Sequence, residues 1–295
     1  MAHYHASHTM KHVSMLPNLF TLANAACGLL ALSKGIDALA GDPEHFPRML
    51  ETACWLVFLA MIFDALDGKV ARLTDSFSDF GAQLDSFADA ITFGVTPAIL
   101  AKVLLERELG LHPRLHFMAA AAFSLMAILR LARFNLENDH DESSHSEFRG
   151  LPSPAAAGTL VATILMYLSI QGTIEVDGGI ATPVGKGVAF LPEGVREFLA
   201  SVLLPLCLIL LPVLGFLMVS RVRYVHMGAA MFRRRQRFIA LVQTVFIGLL
   251  LYMAPVPFLF VFGLTYVTWG LIASRRKRGS SSGGPTGVPD EEIAA

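Results

Sequence analysis

The sequence predicts an all-α protein, a polytopic transmembrane helix bundle of about eight spans. Three observations carry that expectation. Hydrophobic residues fill 54% of the 295 positions and charged residues only 16%. The mean hydropathy is +0.56, too apolar for an ordinary soluble domain. Mainly apolar windows of roughly 17 to 25 residues, the length that carries a helix across a bilayer, recur along the chain.

In chain order these windows lie at 16–36, 49–68, 83–105, 115–134, 154–171, 198–219, 238–254 and 256–273. The break at Pro255 and Pro257 is either a tight turn between two spans or a kink within one re-entrant unit. Before the first window, Met1 to His12 is polar, carries His3, His5, His8 and His12, and lacks the basic and apolar layout of a cleavable leader. After the last, the stretch from Gly279 to Ala295 is rich in Gly, Ser and Pro and too poor in apolar residues to pack. The expected organisation is a flexible N-terminal tail at 1–13, one transmembrane domain at 14–274 that carries the chemistry, and a basic, flexible C-terminal tail at 275–295. Cys27, Cys54 and Cys207 sit in apolar stretches without CxxC spacing, so they read as small core residues.

Cytoplasmic loops of membrane proteins hold the excess of Lys and Arg. With the N-terminus inside and eight spans, 16 such residues fall inside and 7 outside, which places both termini in the cytoplasm. The inside set includes Arg221 to Arg237 and Arg275 to Arg278, basic clusters that fix orientation and attract anionic lipid headgroups. Membrane lipids are therefore expected partners, and nucleic acid is not.

Against this apolar background stand Asp64, Asp67, Asp85 and Asp89. A carboxylate near the middle of a membrane helix costs roughly 2.5 to 3.5 kcal/mol on insertion scales, so four together call for cations or a watery cavity. Asp64 and Asp67 are three apart and Asp85 and Asp89 four apart, so each pair shares a helical face. A short turn from Thr74 to Phe80 would fold the two helices back on each other and join the pairs. Hard oxygen ligands without His or Cys favour Mg²⁺ or Mn²⁺. Gly68, Ala71 and Gly81 are small beside the acids and leave room for a bulky ligand, while Arg72 offers a permanent positive charge to a phosphate. Together these residues suit a metal-bound diphosphate attacked by a hydroxyl whose proton one carboxylate accepts. Structural ion pairing to Lys69 and Arg72 alone would leave two of the four negative charges uncompensated.

The pattern Asp64-x2-Asp67-Gly68-x2-Ala71-Arg72-x8-Gly81-x3-Asp85-x3-Asp89 resembles, position for position, the signature of the CDP-alcohol phosphatidyltransferase family. The stretches Leu16 to Asn24 with Cys27-Gly28, Asp85 to Ala98, Leu129 to Asn135 and Phe148 to Ala155 resemble the bacterial branch of that family that uses serine. The resemblance covers roughly residues 14 to 170 well and the last three spans only generally. It implies a helical membrane enzyme of the bacterial inner membrane, its active site open to the cytoplasm. It also implies transfer of the phosphatidyl group of CDP-diacylglycerol to the hydroxyl of L-serine, giving phosphatidylserine and CMP. Divalent metal would be held by the four aspartates, with Asp89 as general base, and the enzyme would be a homodimer.

On the same reading Asn18 and Thr21 meet the cytidine or its phosphates, the alternatives being a helix cap and ordinary interface polarity. Serine carries a carboxylate, and Arg130, Arg133 and Arg149, with Asn135 adding a hydrogen bond, are the residues available to hold it. Arginines at a helix end also snorkel to lipid phosphates. The acidic loop from Glu137 to Glu147, with Asp139, His140 and Asp141, reads as a solvated connector, the alternatives being a second metal site or a lid. Within the family, glycerol 3-phosphate, inositol phosphate or choline are the competing acceptors. Outside it, a transporter would place acids in several spans and often repeat itself, whereas these acids occupy two adjacent spans and no repeat is visible.

Overall fold

The computed structural model describes residues 15–74, 78–138, 150–175, 188, 191–220, 222, 224 and 237–281. All regular structure among these residues is helical. Helix α1 spans Met15–Ala40. A 3₁₀ turn at Pro43–His45 leads into α2, Phe46–Leu73, with proline in its first turn, where no helical N–H is lost. Helix α3 spans Asp79–Asp89 and passes through a π-helical turn at Ala90–Val95 into α4, Thr96–Glu108. There follow α5 at Pro113–Asn138, α6 at Ser153–Glu175, α7 at Glu193–Val219, α8 at Arg237–Met253 and α9 at Pro255–Ser281.

Among the described residues seven stretches are long and apolar enough to cross a membrane, α3 and α4 together forming one of them. The eighth expected window, 238–254, is helix α8, whose described apolar part is the shorter segment Thr244–Met253. At the break before Pro255 only Ala254 separates the two helices: its N–H donates to the Leu250 carbonyl and its own carbonyl accepts from Phe258, so the i to i−4 pattern reaches this residue from both sides. Helix α9 continues to Ser281, so the chain stays helical into the segment expected to be a flexible tail. The N-terminal tail, the loop from 139 to 149 with Arg149, and Arg221, Arg223 and Arg233 to Arg235 lie outside the described residues.

Helix α6 is apolar on every face and correspondingly enclosed, with Leu160, Ile164, Leu165 and Ile170 fully buried. It packs on α7, α9 and α2, while α1 lies along α2 and crosses α3, the π turn and α4. Cys27, Cys54 and Cys207 are unpaired and buried, the place expected of small core residues.

Two glycines set contacts that position the rest. A Cβ on Gly28 of α1 would run into the Thr92 side chain and lie 3.1 Å from its Cα, so a glycine lets α1 touch the π turn. Gly150 has φ +98°, a conformation L side chains rarely adopt, and its Cβ would strike the Met218 carbonyl. There the Gly150 N–H donates to Val222 at 2.9 Å and Leu151 to Leu217 at 3.1 Å, tying the start of α6 to the end of α7.

Gly28→Ala is expected to lower stability in thermal unfolding of the detergent-solubilised protein by about 1 to 3 kcal/mol, the cost of overpacking a tight contact. Gly172→Ala, which meets nothing within 4 Å, is expected to be neutral or stabilising by up to about 1 kcal/mol.

Candidate active site

Helix α2 ends where Thr74 turns its N–H and hydroxyl onto the Val70 carbonyl. Helix α3 starts at Ser78, whose backbone is extended and whose hydroxyl accepts from the Gly81 N–H at 3.0 Å, a serine N-cap. Of the turn expected from Thr74 to Phe80, residues 75–77 lie outside the described residues and Asp79 and Phe80 already belong to α3; the carboxylates of α2 and α3 come together. Asp64, Asp67 and Asp85 each offer an oxygen, and all three oxygens lie within 4.8 Å of one another.

Helix α1 supplies the third wall. Asn18, Thr21, Asn24 and Gly28 recur at three- and four-residue spacing and form one stripe. A Cβ on Gly81 would lie 3.1 Å from the Asn18 Oδ1, so the small residue at 81 admits Asn18. The Thr21 hydroxyl is buried within 3.2 Å of the Pro17 carbonyl and 3.0 Å of Asp67 Oδ2, and so can donate to either. One turn further along, Asn24 Nδ2 donates to Asp89 Oδ1 at 3.3 Å. Thr92 donates to the Asn24 carbonyl at 3.3 Å, and the Thr96 hydroxyl, 2.9 Å from the Ile91 carbonyl and 3.3 Å from that of Gly28, can donate to either, so the π turn after Asp89 is held against the same stripe. π turns inside α-helices frequently mark functional sites.

A cleft of about 210 Å³ opens between these elements, lined by Asn18, Thr21, Asp67, Gly68, Ala71, Gly81 and Asp85 among others. Seven of the residues expected from the sequence thus line one cavity. Asp64 belongs to the carboxylate cluster beside it, and Asp89 lies one turn deeper, its charge interacting with Asp64, Asp85 and Asp67. Arg72 is exposed and donates its Nε to the Gly68 carbonyl at 2.8 Å, which holds it at the rim.

The three α5 residues part company. The Arg130 guanidinium donates to Ser153 Oγ at 2.8 Å, keeps a buried Nε without a partner, and interacts electrostatically with Asp89. Arg133 donates to the Val219 carbonyl at 3.2 Å, at the C-terminal end of α7. Asn135 exchanges hydrogen bonds with Ser86 on α3. Tyr266 of α9 reaches the field of Arg130, and its ring lies 5.6 Å from that of Tyr224. Burial pushes the Tyr224 hydroxyl up to about 12, so it stays neutral at physiological pH. Asn24, Ser86, Ser153 and Tyr266 are site neighbours that sequence reasoning did not single out; the first three lie in the stretches that carry the family resemblance, and Tyr266 lies outside them.

The donor set fits a divalent metal. It is all carboxylate oxygen, it lacks His and Cys, and Asp85 Oδ1 is buried without a hydrogen-bond partner. Among the described residues no ion pair reaches the four aspartates. Lys34–Asp37, Lys102–Glu106 and Arg107–Glu108 all lie elsewhere.

Fold and site together define an integral membrane protein with a carboxylate cluster beside a cleft. Residues 14–190 match the family model for CDP-alcohol phosphatidyltransferase, and the chain belongs to that family. It is 30% identical over 261 residues to a Helicobacter pylori protein named CDP-diacylglycerol–serine O-phosphatidyltransferase, covering 88% of this chain and 90% of the relative. Proteins of the same name from Bacillus subtilis and Methanocaldococcus jannaschii are 35% and 37% identical over 52% of this chain, covering 78% and 62% of their own lengths.

Thr21→Val removes the hydroxyl that faces Asp67. It is expected to weaken Mn²⁺ binding to the purified protein roughly ten- to a hundredfold, the usual effect of losing a group that orients a metal ligand, as read by electron paramagnetic resonance.

Proposed function

We propose that this chain transfers the phosphatidyl group of CDP-diacylglycerol to the hydroxyl of L-serine, releasing CMP. The observation that carries the reading is the placement of Asp89. It is held by a buried amide, lies within the field of Arg130, and sits one turn beyond a three-carboxylate cluster that borders a cleft. The names of the relatives support serine as the acceptor.

Asp64, Asp67 and Asp85, with Asp89, would hold Mg²⁺ or Mn²⁺, which when bound neutralises the diphosphate and eases departure of CMP. The small residues Gly68, Ala71 and Gly81 leave the cleft open to the diphosphate, and Asn18 and Thr21 face it from α1. Arg72 meets a phosphate at the rim. Asp89 takes the proton of the serine hydroxyl as that oxygen bonds to the lipid-linked phosphorus. The bond from this phosphorus to the bridging oxygen breaks, and CMP departs with the electron pair.

Arg130 is the best placed of the three arginines to hold the serine carboxylate, because it faces Asp89 and has a buried donor to spare. Arg133 directs a nitrogen to the end of α7, Asn135 braces α3 through Ser86, and Arg149 completes the proposed serine set from outside the described residues. Residues 14–274 form the catalytic unit, set in a bacterial inner membrane as a homodimer with the cleft and both termini on the cytoplasmic side. CDP-diacylglycerol enters from the lipid and serine from the cytosol.

Purified protein with Mg²⁺ or Mn²⁺ is expected to release CMP from CDP-diacylglycerol only when L-serine is present, with phosphatidylserine identified by mass spectrometry. CMP release with glycerol 3-phosphate, inositol phosphate or choline alone would overturn the acceptor, and no release with any alcohol would overturn the reaction. Asp89→Asn is expected to cut turnover by about 10² to 10⁴ while CDP-diacylglycerol still binds, because it removes the base and keeps the shape. Arg130→Lys is expected to raise the serine KM roughly tenfold or more, since an ammonium cannot reproduce the guanidinium fork.

A further inference from the structure

Asn24 is fully buried, and its two side-chain atoms fare differently. Nδ2 donates to Asp89, whereas Oδ1 is enclosed and has no hydrogen-bond partner. The nearby Thr92 hydroxyl is directed to the Asn24 backbone carbonyl and so does not serve it. A buried amide oxygen left without a donor is costly, and in native proteins such a group usually finds a water, an ion or a ligand. The unpaired oxygen belongs to the very side chain that holds Asp89, so any donor reaching it lies beside the reacting hydroxyl.

We propose that Asn24 is an acceptor-binding residue whose Oδ1 receives the ammonium of the serine while its Nδ2 holds Asp89. The inference rests on the serine reading above and deepens it. Serine brings three polar groups to the site. The hydroxyl faces Asp89, and the carboxylate needs donors, which Arg130 has and Asn24 Oδ1 is not. The ammonium, on the carbon next to the hydroxyl-bearing one, needs an acceptor near Asp89. The carboxylates of Asp64, Asp67 and Asp85 are directed to the cluster, and among the neutral acceptors the unpartnered oxygen of Asn24 sits on the side chain that itself bonds Asp89. Unlike a further aspartate, it takes the ammonium without adding charge to an already anionic site.

The test uses the full chain in nanodiscs with CDP-diacylglycerol and Mn²⁺. It measures the serine KM and the inhibition constant of 3-hydroxypropanoate, which keeps the hydroxyl and carboxylate and lacks the ammonium. Asn24→Leu is expected to raise the serine KM roughly ten- to a hundredfold, as loss of a hydrogen bond to a charged group does, and to move the 3-hydroxypropanoate constant by less than about threefold. Should the leucine variant fail to fold, Asn24→Ser, too short to reach the ammonium, is expected to give the same split. Proportional changes in both constants would show that Asn24 acts only through Asp89 and overturn the proposal, as would no change in either. A wild-type protein that does not use serine would instead refute the underlying reading, and that result appears before any variant is made.

Discussion

Mutual repulsion among four carboxylates is the constraint on which the site depends. Like charges a few ångströms apart in a poorly screened interior repel by several kcal/mol, and three of these groups have oxygens within 4.8 Å of one another. Among the described residues no basic group forms an ion pair with them, although the charge of Arg130 interacts with that of Asp89. Arg72 turns to its own helix and Arg130 donates to Ser153. The arrangement makes physical sense when cations complete it, and the helices around it serve to hold the ligands in place while leaving room for what they bind.

Helix α1 does most of that holding. Its polar stripe runs from Asn18 through Thr21 to Asn24, and each residue meets a different residue of α2 or α3: Gly81, Asp67 and Asp89. Close approach at Gly28 brings α1 onto the π turn, where Thr92 and Thr96 bond to its backbone. Those bonds fix the rotation of α3 and hence the direction of Asp89. On the opposite side, positive φ at Gly150 ties the start of α6 to the end of α7 and brings Ser153 to Arg130. Helix α9 then brings Tyr266 toward Arg130, so a part of the chain beyond the family match contributes to the surroundings of the site.

Much of this was legible in the residues. Apolar windows located the helices to within a few positions because a bilayer allows little besides an apolar helix of that length. The aspartate spacing announced shared faces because helical periodicity is local, and the small residues among the acids announced the cleft. What stayed hidden depends on tertiary contacts. Asn24 reads as one more polar residue in a span until α3 is packed against it. The position of Arg72 is set by an exposed i to i−4 bond to Gly68, which its place in the sequence does not announce. Arg130, Arg133 and Asn135 looked equivalent in sequence and separate only through partners on α6, α7 and α3.

The central claim is that Asp64, Asp67 and Asp85 gather to hold a divalent cation against a diphosphate. Anomalous diffraction from crystals grown with Mn²⁺ and CDP-diacylglycerol tests it most directly. The account predicts a peak bonded to oxygens of these three aspartates, with the diphosphate of the lipid on its open side. A map with no peak there, or with a basic side chain closed onto the aspartates in its place, would contradict it.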